Sequence, residues 1–174
     1  MPNVDISTLE IGGGNFEPAE AGPHHAVITE AEWTKSKKSN KDMLEVTWEL
    51  DDEEDEDAGK QVKDFVVLTY HDKKRDAEVL HWNIPRYFGL AGLWPAKAAE
   101  RTKLFAGANA AKTYDKVAKQ LVGKSGTLTL IVEEGRDRLD DNGNPTGEKY
   151  GAQNRIDKYK FDDVKRAKAS SVSF

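Results

Sequence analysis

The chain has 174 residues, which suits one domain with an ordinary core and rarely two. Hydrophobic residues make up 37% and charged residues 33%, and there is no cysteine. No apolar run approaches the roughly 20 residues that span a bilayer, so disulfides, thiolate metal sites, a cysteine nucleophile and a membrane helix are all excluded. The opening MPNVDISTLEIGGG lacks the basic-then-apolar pattern of a signal peptide, and a soluble cytoplasmic protein is expected. The net charge of −5 argues against a polyanionic partner only until its distribution is read. Asp51, Asp52, Glu53, Glu54, Asp55, Glu56 and Asp57 form one unbroken acidic run, and the rest of the chain is positive by two. The run reads as a solvated, mobile loop, or as a loop that repels or competes with nucleic acid beside a basic groove. Because the local field attracts phosphates, net charge does not exclude DNA.

Residues 1–22, with Gly12-Gly13-Gly14, read as an irregular arm. HHAVITEAEWTK is a first strand, with Val27, Thr29, Ala31 and Trp33 on one face by the two-residue period. A basic turn over 35–41 follows. MLEVTWEL is a second strand and the clearest half-buried one, with Leu44, Val46, Trp48 and Leu50 inward. The third, KQVKDFVVLTYH, sets Val62, Val66, Leu68 and Tyr70 against Phe65, Val67 and Thr69, a pattern of cover on both sides over part of its length.

Residues 74–93 have helical composition broken by Pro85 and Gly89, giving two short helices. Ala96 to Leu121 is helical, with Tyr114, Val117, Ala118 and Leu121 on one face and Gly123 as its stop. GTLTLIVEEG is a fourth strand with Leu128, Leu130 and Val132 on one face. The turn-rich DRLDDNGNPTG leads to a fifth, from Lys149 to Phe161. The domain thus spans 23–161, and 162–174 is a loose polar tail. The expected class is mainly β: a β-barrel of five antiparallel strands with helices between strands 3 and 4, the order an OB-fold requires, though other α+β folds share it.

Sites for catalysis fail one by one. His24 and His25 point to opposite strand faces, and neither a His-Glu-x-x-His nor a Gly-x-Ser-x-Gly motif occurs. A calcium loop centred on Gly143 would place Arg138 and Lys149 where carboxylates belong. Gly123-Lys124-Ser125 lacks the glycine that a phosphate loop needs five residues earlier. Glu133, Glu134 and Asp137 could hold magnesium for nuclease chemistry, but nothing else completes the set. No enzyme, cofactor or metal is therefore expected.

What remains suits single-strand binding, which needs cations along a groove and rings on which bases stack. The turn after the first strand offers Trp33, Lys35, Lys37, Lys38 and Lys41. The last hairpin offers Arg136, Arg138, Lys149, Tyr150, Arg155, Lys158, Tyr159 and Lys160. In an OB barrel those two loops flank one binding face. Trp48 reads as core, whereas Trp33 and Tyr150 sit at strand ends beside charges. Trp82, Tyr87, Phe88 and Trp94 read as packing, either against the barrel or against a partner subunit in a homodimer.

The chain resembles a family of small tailed-bacteriophage proteins regarded as single-stranded DNA-binding. The likeness runs from residue 16 to 161 in short segments whose order carries it: EPAEAG before HAVITEAEW, SKKSNK before MLEVTWEL, GK before VKDFVVL, LVGK before TLTLIVEE, and Asn154-Arg155-Ile156. The resemblance implies an OB-like fold and DNA bound as a single strand. It also implies work in the host cytoplasm beside phage replication or recombination proteins. Two features depart from the family. The acidic run is larger than that loop should carry, and the terminal Phe174 follows Lys165-Arg166-Ala167-Lys168 where an acidic tail belongs. The rival readings are a protein-interaction module docking through the helical aromatics and a metal-dependent nuclease subunit.

Overall fold

The computed structural model describes residues 17–37, 40–67, 86–105 and 108–162. Seven strands and two helices lie in this order: β1 (Gly22–Lys35), β2 (Asp42–Leu50), β3 (Gln61–Val67), α1 (Ala98–Phe105), α2 (Ala108–Leu121), β4 (Ser125–Glu133), β5 (Asp137–Leu139), β6 (Pro145–Lys149) and β7 (Gln153–Phe161). A helical stretch over 86–90 precedes α1. The fold is mainly β: five strands form one antiparallel sheet in the order β3-β2-β1-β4-β7, and β5 and β6 form a separate two-stranded sheet. The helices fall between the third and fourth strands, as expected. Among the described residues no helix is long and apolar enough to cross a membrane.

The sheet is centred on β1, which lies between β4 and β2. Gly22 to Val27 pair with β4 (Gly22↔Leu130 to Val27↔Ser125), and Ala26 to Lys35 pair with β2 (Ala26↔Leu50 to Lys35↔Asp42). Within the β1–β2 ladder the register shifts between Ile28 and Glu30. A bulge there bends the strand and reverses which residues face inward. The strict alternation expected for Val27, Thr29, Ala31 and Trp33 therefore fails. His24, Ala26 and Ile28 are buried before the bulge, and only beyond it do Ala31 and Trp33 pack against the core.

The sheet is open rather than a closed barrel. β3 and β7 are its two edges, and side chains rather than a backbone ladder join them. Asp64 of β3 accepts hydrogen bonds from the Tyr87 hydroxyl (2.5 Å), from Arg86 Nη2 (2.6 Å) and from the Tyr159 hydroxyl of β7. The core lies inside the curl. Leu44, Val46, Trp48 and Leu50 of β2 are buried as their alternation requires, joined by Val62, Val66, Leu128 and Leu130. Each such side chain contributes about 1.5–3 kcal/mol by leaving water. Tyr87, Phe88 and Leu90 fill the same core, so these helical-region residues pack against the sheet; Trp82 lies outside the described residues.

Four further expectations are corrected. The helical stretch from Ala96 is two helices, with Val117, Ala118 and Leu121 of α2 buried. Gly123, at φ +84°, supplies the left-handed stop, and its N–H donates to the Ile28 carbonyl at the bulge. Phe65 is 53% exposed, so the second face of β3 is open at that position; Leu68, Thr69 and Tyr70 lie outside the described residues. Val132 is 44% exposed where β4 runs past the core. The expected fifth strand begins at Gln153, as β7, and the segment read as a turn forms β5 and β6, a hairpin whose strand residues are all exposed.

Candidate nucleic-acid interface

The β1–β2 loop is a tight turn. Ser36 N–H donates to the Lys41 carbonyl, Asn40 N–H donates to Ser36, and Asn40 adopts a φ of +51°. Lys35 and Lys37 are exposed and make no ion pair with any described residue, while Lys41 is half-buried. Lys38 lies outside the described residues. Trp33, two residues before the turn, is partly buried. One face of its ring is covered by Tyr114 of α2, with centroids 4.3 Å apart and planes 16° from parallel.

The second group lies on the β4–β7 connection. Gly135 begins it, and a Cβ there would fall 1.6 Å from the Tyr150 carbonyl oxygen, so only glycine allows the two chain segments to pass. The Tyr150 N–H donates to the Arg136 carbonyl, which anchors the base of the β5–β6 hairpin. Tyr150 is 59% exposed, with the Arg138 guanidinium 5.2 Å from its ring centre. Acidic neighbours offset several of the hairpin's cations. Arg138 pairs with Glu148 (3.3 Å), Lys149 with Glu134 (3.1 Å) and Arg155 with Glu133 (3.0 Å). Glu134 holds the Lys149 ammonium pKa above its ordinary value. Arg136 and Lys158 are exposed and unpaired among the described residues. Tyr159 is different: Arg86 sits 3.9 Å over its ring, Phe161 and Tyr87 flank it, and burial drives its hydroxyl pKa up. Its ring belongs to the aromatic core and not to the surface.

The two groups leave opposite ends of β1. The hairpin departs beyond Glu133, beside the start of β1, and the lysine turn follows the end of β1. No ring contact or ion pair joins Trp33, Lys35 or Lys37 to Arg138, Tyr150 or Arg155 among the described residues.

The acidic run, expected as a mobile loop, is an ordered turn that forms a clasp. His24 Nδ1 meets Asp55 Oδ2 at 2.6 Å, and its Nε2 meets the Glu20 carbonyl at 2.7 Å. Asp57, 6% exposed, accepts from the Glu20 N–H and from Lys60. His25 bridges Asp51 and Asp162, the latter at the end of β7. Burial opposes charging His24, but the Glu20 carbonyl and then Asp55 outweigh it and raise its pKa. Asp162 and Asp51 raise that of His25. Two adjacent histidines before seven carboxylates were the available signal. The ligand atoms of His24, Asp55 and Asp57 lie within 4.8 Å of one another, close enough for a metal ion. Yet each already has a protein partner, and a cation would have to displace both the imidazole proton and Lys60. The arrangement fits a neutral set of two cations and two anions better than a metal centre. Glu133 and Glu134 are each paired with a cation and form no ligand group with Asp137 among the described residues.

Neither the protein-family models nor the curated proteins compared with this chain give a match.

Proposed function

We propose that this chain is a non-enzymatic single-stranded DNA-binding protein of OB type, coating DNA with little sequence preference during phage replication or recombination. The strand order supports the OB reading: a central β1 between β2 and β4, edges β3 and β7 brought together by Asp64 and Tyr159, and helices between the third and fourth strands. The observation that carries most weight is Tyr150. An aromatic ring left 59% in water, flanked by an arginine on a projecting hairpin, contributes nothing to the core and suits base stacking. Lys35, Lys37 and Arg136 supply unpaired charge for phosphates.

Tyr150→Ala tests this directly. Binding to oligo-dT, followed by tryptophan fluorescence, should weaken by about 1–3 kcal/mol, the worth of one stacked base. The thermal midpoint should stay where it is, because the ring is exposed. Unchanged affinity would remove the hairpin from the interface.

A further inference from the structure

The unpaired positive charge of this protein is concentrated on its helices more than on its last hairpin. Residues 133–149 carry three cations against six carboxylates, whereas 96–121 carry six cations against two. Between α1 and α2 lies a groove of about 480 Å³ onto which the exposed Lys103, Lys112 and Lys116 converge, with Glu100 the one carboxylate among its lining residues. None of the three lysines makes an ion pair with a described residue, although Lys119, three residues on, pairs with Asp115. Lys112 and Lys116 stand one helical turn apart, and a like-charge pair at that spacing works against the helix. An anion lying across both would remove that repulsion.

Position links this groove to the lysine turn. Tyr114 of α2 stacks on Trp33 near the end of β1. That contact holds α2 beside the end of the sheet from which Lys35 and Lys37 project, with Val117, Ala118 and Leu121 turned to the core and Lys112 and Lys116 on the outer side of the helix.

We infer that the α1–α2 groove is a second phosphate-binding segment, in which Lys103, Lys112 and Lys116 take the sugar-phosphate backbone of a single strand leaving the β1–β2 turn. This rests on the single-strand reading above and adds a path for the strand that the five-stranded sheet alone does not provide.

The test is a salt series of oligo-dT binding by the full chain, comparing wild type with the Lys112→Gln, Lys116→Gln double variant. Two lost phosphate contacts should reduce the slope of log K against log salt by about 1.4, so that the variant binds about 25-fold more weakly at about 0.1 M salt and converges with wild type near 1 M. Lys119→Gln, already paired with Asp115, should leave the slope unchanged, and circular dichroism should show all three proteins equally helical. A wild-type slope in the double variant would overturn the groove while leaving single-strand binding intact. Failure of the wild type to bind oligo-dT at any salt would overturn both.

Discussion

Two aromatic residues that look alike in sequence have opposite surroundings. Trp33 and Tyr150 both close a strand beside charged residues, yet Trp33 lies against Tyr114 and Tyr150 stands in water. Trp33→Ala should therefore lower stability by about 2 kcal/mol through lost ring packing, read as a fall in the urea midpoint. An unmoved midpoint would show that the ring is free to stack on a base. Tyr159 makes a complementary case. Tyr159→Phe keeps the ring under Arg86 but removes one of three hydrogen bonds to Asp64, which should cost about 1–2 kcal/mol. If the urea midpoint of that variant equals the wild type's, the seam between β3 and β7 is not held by this hydroxyl.

The β2–β3 turn is held by protons. His24 and His25 both have pKa values raised above 6.5, so between 6.5 and those raised values the folded chain binds more protons than the unfolded one. Stability is then fully present below 6.5 and declines as pH rises through the folded values. On the acid side the signs reverse. Lys60 beside Asp57, the Asp57 N–H and then His24 beside Asp55, and His25 beside Asp162 hold these carboxyls below 3.8, so their contribution is lost as pH falls through the lowered values. Urea midpoints at about pH 5.5, 7 and 8.5 should fall across the series, and a His24→Gln, His25→Gln variant should flatten the fall. A wild type with no alkaline decline would contradict the clasp.

At the scale of the whole molecule, the sequence revealed what periodicity encodes and concealed what long-range pairing decides. The inward face of β2 was legible because Leu44, Val46, Trp48 and Leu50 alternate without interruption. The inward face of β1 was not, since the bulge between Ile28 and Glu30 arises in its pairing with β2, which local periodicity does not encode. The open seam was equally hidden. Asp64 reads as a polar break in an apolar strand until Tyr87, Arg86 and Tyr159 arrive from distant segments. For the candidate site, residue types were legible and partners were not. Arg138, Lys149 and Arg155 look like a basic groove in sequence, and each meets a carboxylate once the hairpin forms.

Binding of single-stranded DNA can be measured by titrating the intact chain with oligo-dT and with duplex of equal length across a range of salt. Saturable binding to the single strand, much weaker binding to the duplex, and affinity falling linearly in log salt with a slope of about −0.7 per phosphate contacted are expected. Equal affinity for both forms, or no binding at low salt, would contradict single-strand binding.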